Sequence, residues 1–266
     1  MLYFAAMKRI WICFLMVPLI LLACSGKNQA AKQPKTPDNP YAELKLADQL
    51  LIHKRCAEAV VAYRKFVDKY PKDAGGWNSL GISHLCESQI QEAVAAFKQA
   101  IVLQPTFSDV HNNLGIAYTE LKDYPAARDH FLKALEDPQY GQAGPYYNLA
   151  KLTYLEGKYE ESRALAKKSL ELTPKDKDTA PRLLYAFALE MLGRYDEAAV
   201  QFKEVLKSAP DNVEACYHLA SVLKQQNQPC EAREYYRKVI DADPLGDLGQ
   251  KSIAAVKGLY CPKSTN

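Results

Sequence analysis

Residues Val110 to Pro138 read VHNNLGIAYTELKDYPAARDHFLKALEDP. Two amphipathic stretches are joined by a tight turn. Leu114 and Gly115 sit midway along the first, followed by Tyr118, while Ala127, Phe131 and Ala134 recur at helical spacing along the second. Gly115 and Ala127 are small enough to let two helix backbones approach closely. Tyr118 and Phe131 are large enough to fill the space around that contact. Pro138 closes the stretch, because a proline after a helix cannot continue it.

The same pattern returns along the chain at a spacing of about 34 residues. A first unit over Pro40 to Asp73 carries Leu46-Ala47, Ala59, Tyr63 and Pro71, and its first helix diverges most. A second over Ala74 to Phe107 carries Trp77, Leu80-Gly81, Ala93, Phe97 and Pro105. The quoted stretch is the third, with a short insertion after it at Gln139 to Gln142. A fourth over Ala143 to Asp176 carries Leu149-Ala150, Ser162 and Pro174, and a fifth over Thr179 to Asn212 carries Tyr185-Ala186, Ala198, Phe202 and Pro210. A sixth over Val213 to Gly246 carries Leu219-Ala220, Ala232, Tyr236 and Pro244. Asp247 to Leu259 predicts one more amphipathic helix, placed to cover the open face of the last unit.

This pattern is similar to the tetratricopeptide repeat (TPR). The resemblance implies an all-α fold: a superhelical solenoid of six helix-turn-helix repeats over residues 40–246, with a capping helix and tail over 247–266. It also implies a concave face lined by the first helix of each repeat, where a segment of another protein is held. On this chain that face is expected to present Asn78, Ile82, Asn112, Ile116, Tyr147, Lys151, Tyr154, Leu183, Phe187 and Tyr217. Its middle and C-terminal half reads as aromatic with few charges, which suits an apolar strand or helix. Asn78 and Asn112 occur where carboxylate-clamping TPR domains place asparagines, but the paired lysines of those domains are missing, which argues against that mode.

The N-terminal 23 residues are of another kind. Met7-Lys8-Arg9 precede an apolar run, Ile10 to Ala23, that is short for a membrane span of about 20 residues. It ends Leu21-Leu22-Ala23-Cys24, and residues 1–23 therefore read as a secretory signal peptide. The Leu-x-Ala-Cys ending resembles the bacterial lipobox, which implies that Cys24 is lipidated and becomes the new N-terminus. An uncleaved anchor helix is the alternative. Ser25 after the cysteine implies, by the same resemblance, the outer membrane, with the protein lipid-anchored on its periplasmic face. Residues 24–39 form the modified cysteine and a polar tether with Pro34 and Pro37, able to reach at most ~50 Å when extended.

Charge and cysteine content narrow the partners. The formal charge is +3, and losing Lys8 and Arg9 with the leader leaves +1, so no basic field exists for nucleic acid. Beyond Cys13 and Cys24, five cysteines remain. Repeat geometry puts Cys56 at the start of one helix beside Cys86 at the end of the next, and it places Cys230 and Cys261 in the same relation. Disulfides Cys56–Cys86 and Cys230–Cys261 are expected, with Cys216 a free core thiol; five reduced buried cysteines are the alternative.

The sequence holds no catalytic constellation, no Gly-rich phosphate loop and no serine elbow, so no enzyme, cofactor or small-molecule substrate is expected. His84 and His111 fall at packing positions, and no cysteine pair completes a zinc site with them.

Leader, tether and repeats together resemble the outer-membrane lipoproteins of type IV pilus biogenesis, the pilotin (PilF/PilW-type) family. The resemblance rests on Asn112-Asn113-Leu114-Gly115, on Asp137 to Tyr140, and on Asn148-Leu149-Ala150 after the insertion. It implies a scaffold that helps a secretin, or another envelope assembly component, reach the outer membrane and assemble. A general periplasmic TPR scaffold for cell-wall or polysaccharide export machinery is the alternative.

Overall fold

The structure is a computed structural model that describes residues 40–137 and 141–260. The expected leader, Cys24, the tether, Pro138 and Cys261 lie outside the described residues. The chain divides into residues 1–39 and residues 40–266, and the fold described is that of the second unit.

Thirteen α-helices and no strand occur among the described residues. They pair as α1 (Pro40–Ile52) with α2 (Cys56–Lys69), α3 (Ala74–Cys86) with α4 (Ile90–Leu103), and α5 (Ser108–Glu120) with α6 (Tyr124–Ala134). The second half pairs α7 (Ala143–Leu155) with α8 (Tyr159–Leu172), α9 (Thr179–Met191) with α10 (Tyr195–Ser208), and α11 (Val213–Gln225) with α12 (Pro229–Ala242). Helix α13 (Asp247–Lys257) follows, two residues shorter than its apolar pattern, because the chain leaves the helix at Gly258. Each helix packs on its neighbours in sequence, as in a solenoid whose units touch only adjacent units.

The turn inside each repeat has one recurring device. A single residue in the left-handed region follows the first helix: Lys54, Ser88, Lys122, Gly157, Gly193 and Asn227, with φ from 56° to 75°. The next N–H then bonds a carbonyl of the last helical turn, as in Arg55 to Leu50, Gln89 to His84, Asp123 to Tyr118 and Arg194 to Leu189. This closes otherwise orphaned carbonyls and reverses the chain. Glycine serves only two of the six turns, so the geometry is set by packing of the helix pair rather than by the turn residue.

Between repeats a second device recurs. Trp77 Nε1 donates to the carbonyl of Pro71 at 2.9 Å, His111 Nε2 lies 2.9 Å from the Pro105 carbonyl, and Gln250 Nε2 donates to the Pro244 carbonyl at 2.7 Å. Each spans six residues and grips the proline that closes the preceding unit. The prolines therefore stop one helix and also present a carbonyl to the next repeat.

Small and large residues interlock in the core as the quoted stretch implies. Ala127 and Phe131 are buried, and a Cβ built on Gly115 would meet Phe131 Cε1 at 2.5 Å. Burying a phenylalanine stabilises by about 1.5–3 kcal/mol relative to exposure, so the missing methyl at Gly115 secures a favourable ring position. Repeat four departs from this pattern. Ala166 stands where Phe131 stands in repeat three, and buried hydroxyls hold the pair instead. Ser162 donates to the Ala150 carbonyl at 2.8 Å, and Thr153 donates to the Ala150 carbonyl at 2.9 Å. The α6–α7 junction is the sparsest between successive helices, and there Arg128 bridges to Glu156 at 2.6 Å and Glu161 at 2.8 Å.

At the C-terminal end α13 packs on α12 and touches α11, and Ala255, Val256 and Leu259 pack against the sixth repeat's core. Gly249 permits this, because a Cβ there would collide with the backbone carbonyl of Asp243. At the other end Cys56 and Cys86 are joined by a disulfide, with Cα atoms 5.7 Å apart. Cys216 is a buried free thiol. Cys230 is disulfide-bonded, while its expected mate, Cys261, lies outside the described residues.

Candidate functional site

The first helices of successive repeats touch along one face, α3 to α5, α5 to α7, α7 to α9 and α9 to α11. Asparagines stitch the N-terminal part of that face together. Asn113 Nδ2 donates to Asn78 Oδ1 at 3.0 Å, and Asn148 Nδ2 donates to Asn112 Oδ1 at 2.9 Å. Asn78 and Asn112 therefore link neighbouring repeats through their acceptor oxygens. Both are half-buried, as are Ile82 and Ile116, which pack against the cores of repeats two to four. Asn113 and Asn148 were not among the expected site residues. Their signal was the Asn-Asn pair at 112–113, placed to reach a repeat on either side.

The C-terminal part is aromatic. Tyr147 and Tyr154 are half-buried on α7, Phe187 on α9 and Tyr217 on α11, and Lys151 is exposed beside them. Leu183 differs from its expected place on the open face. It is only 9% exposed and belongs to the core of repeats five and six, because α9 sinks Leu183 and Ala186 into the same cluster. Phe187 and Tyr217 pack around His218, whose ring centroid lies 4.6 Å from the first and 5.3 Å from the second. Tyr217 in turn stands edge-on to Tyr236, 5.7 Å away.

The expectation of few charges on this half needs correction. Nδ1 of His218 lies 2.7 Å from Glu190 Oε2, and Glu190 is 16% exposed. Burial raises the Tyr147 hydroxyl pKa, and the Glu214 carboxylate raises it further. Burial raises Tyr154 as well, followed by Glu190, Tyr159 and Glu214. Tyr236 is pushed up to about 12 by burial, with Tyr217 and Glu190 adding to it. Each shift has the sign of a phenol kept neutral by low dielectric and a nearby negative charge. Glu190 and Glu214 escaped the sequence reading because each falls at a helix end, where a lone carboxylate reads as solvated surface.

Among the described residues no group of three or more His, Cys, Asp or Glu is placed to hold a metal ion. His84 and His111 are buried, 4% and 6% exposed, and each is engaged by a neighbour: His84 Nδ1 with Gln89 Oε1 at 2.7 Å, His111 with Pro105 and His130. No helix among the described residues is long and apolar enough to cross a membrane.

Comparison with known proteins agrees with this architecture. Family models described as tetratricopeptide repeat match residues 41–73, 78–146, 143–176 and 189–255, which together span most of the chain. The protein belongs to the tetratricopeptide repeat family. Such repeats form protein-interaction scaffolds. Peroxisome biogenesis protein 5 of Arabidopsis thaliana is 26% identical over 184 residues, 67% of this chain. The chain spans only 24% of that protein's length, and 19% and 20% of two further curated relatives. Solved structures give fuller matches. The pilF protein of Pseudomonas aeruginosa superposes with a TM-score of 0.72 at 20% identity, covering 81% of this chain and 96% of that one. PilW, described as a widely conserved type IV pilus biogenesis factor, superposes with a TM-score of 0.74 at 18% identity, covering 80% and 98%.

Proposed function

We propose that this protein is a non-catalytic scaffold of type IV pilus biogenesis, lipid-anchored through Cys24 at the periplasmic face of the outer membrane. Its concave face, from Asn78 to Tyr217, holds a segment of a partner protein, a secretin or another envelope assembly component. The observation that carries the pilus reading is the end-to-end correspondence with the pilF and PilW structures: 96% and 98% of those chains are covered, so both match this array through nearly their whole length. At 18–20% identity that correspondence concerns fold. The leader, the Leu-x-Ala-Cys ending and the tether supply the rest of the argument from the sequence.

The role divides between two parts of the chain. An acyl modification carries the protein to a membrane and keeps it there, with each buried methylene contributing ~0.8 kcal/mol. The tether leaves the array free to turn, and the groove supplies the grip. Deleting the gene should lower the abundance of assembled secretin multimers, measured by immunoblot of unheated membranes. Unchanged multimers would leave the general periplasmic scaffold as the better reading. Cys24→Ser should leave the helical circular-dichroism spectrum intact while moving the protein from the outer-membrane fraction to the soluble one. Continued membrane fractionation would defeat the anchoring claim.

A further inference from the structure

We propose that the groove over α7, α9 and α11 selects a partner segment carrying a lysine or arginine between apolar residues, with Glu190 and Glu214 as the selecting groups. This rests on the groove reading above and narrows it to a partner chemistry.

Tyr147, Tyr154, Phe187 and Tyr217 line three consecutive first helices that touch one another. Glu190 is largely covered and held at 2.7 Å by His218, whose ring packs against Phe187 and Tyr217. Among the described residues no lysine or arginine pairs with Glu190 or Glu214, although Lys151 and Lys224 are exposed on the same helices. Beside burial, Glu214 raises the Tyr147 hydroxyl, both acids raise Tyr154, and Glu190 raises Tyr236. Glu190 is largely covered, and Glu214, exposed like the lysines, lies three residues before Tyr217 on the same face of α11.

An apolar segment laid on these rings would strip the remaining water from Glu190 and leave its carboxylate with His218 as sole partner, which is costly for a covered charge. A segment that brings its own cation removes that cost. The cation also gains the faces of the tyrosines, whose ring quadrupoles attract positive charge. The carboxylates therefore select in both directions: they reject purely apolar or acidic segments and favour basic ones.

The test is selection of phage-displayed random 12-residue peptides on the immobilised full chain in non-ionic detergent. A Tyr147→Ala/Tyr154→Ala variant serves as the groove control. Peptides enriched on the wild type should combine apolar residues with at least one lysine or arginine. Binding of the synthesised peptides, read by fluorescence anisotropy, should weaken about tenfold in Glu190→Gln/Glu214→Gln. Glu214→Gln alone should weaken it severalfold; Glu214 is exposed and has no ion-pair partner among the described residues, so this variant spares the fold. Enriched apolar peptides with no basic preference, or basic peptides that bind the glutamine variants equally well, would overturn this inference and leave the groove standing. No enrichment over the tyrosine control would overturn the groove reading as well.

Discussion

Glu190 Oε2 and His218 Nδ1 lie 2.7 Å apart across the junction of repeats five and six, and the imidazole also packs against Phe187 and Phe202. One side chain therefore couples two repeats, packs against their aromatic rings and fixes a carboxylate beside them. His218→Ala removes the hydrogen bond and leaves a largely covered carboxylate without its donor. A loss of about 1–3 kcal/mol is expected, measured as a lower urea midpoint. An unchanged midpoint would mean that the pair is not coupled to folding.

The left-handed turn residues make a second prediction. Lys122 holds φ 59°, a conformation that costs a residue with a Cβ roughly 1–2 kcal/mol. Lys122→Gly should stabilise the array by roughly 0.5–1 kcal/mol, since part of the relief is lost to the freer unfolded chain. The converse is Gly193→Ala. Its added Cβ meets nothing within 4 Å, so only the backbone at φ 73° is tested, and a loss of about 1 kcal/mol is expected. Denaturant midpoints of both variants check the pair of signs together.

The Cys56–Cys86 disulfide encloses a sequence separation of 30 at the N-terminal end of the array, where a solenoid unit has a neighbour on one side only. Chain-entropy arithmetic for a loop of that size assigns it roughly 3–4 kcal/mol. Cys56→Ala/Cys86→Ala should lower the melting temperature and raise amide exchange first in α1 and α2. Equal protection there in variant and wild type would show that helix packing alone holds the end.

Acidity should loosen the third repeat. His111 Nε2 meets the Pro105 carbonyl, so that nitrogen carries the proton. Nδ1 of His111 then accepts from Nδ1–H of His130 at 3.0 Å. Tyr118 stacks on His130 with ring centroids 5.5 Å apart. Burial, then the neighbouring His111, Lys133 and Lys98, lower the His130 pKa to about 4, with Asp129 opposing. The unfolded chain binds that proton near the ordinary histidine value of about 6.5. The contribution of His130 is therefore fully present above about 6.5 and falls as the pH drops toward 4. Thermal melts between pH 7 and pH 4 should show a steeper loss in the wild type than in His130→Gln; parallel curves would exclude the histidine pair as the cause.

Helix pairing, the closing prolines and the alternation of Gly115 or Ala127 with Phe131 were legible in the chain, because they follow from helical periodicity and side-chain volume within one unit. The Cys56–Cys86 neighbourhood was legible for the same reason, since it spans one step of the repeat. Leu183 was misplaced because its register position holds half-buried residues in other repeats, Asn78, Asn112, Tyr147 and Tyr217, and only the local depth of α9 decides its burial. The influence of Glu214 on the Tyr147 hydroxyl is not visible in the sequence. These residues stand two repeats apart, and their electrostatic coupling depends on how successive helix pairs stack. Local chemistry therefore determined the repeating unit, while the stacking of successive units decided which side chains share the face of the first helices.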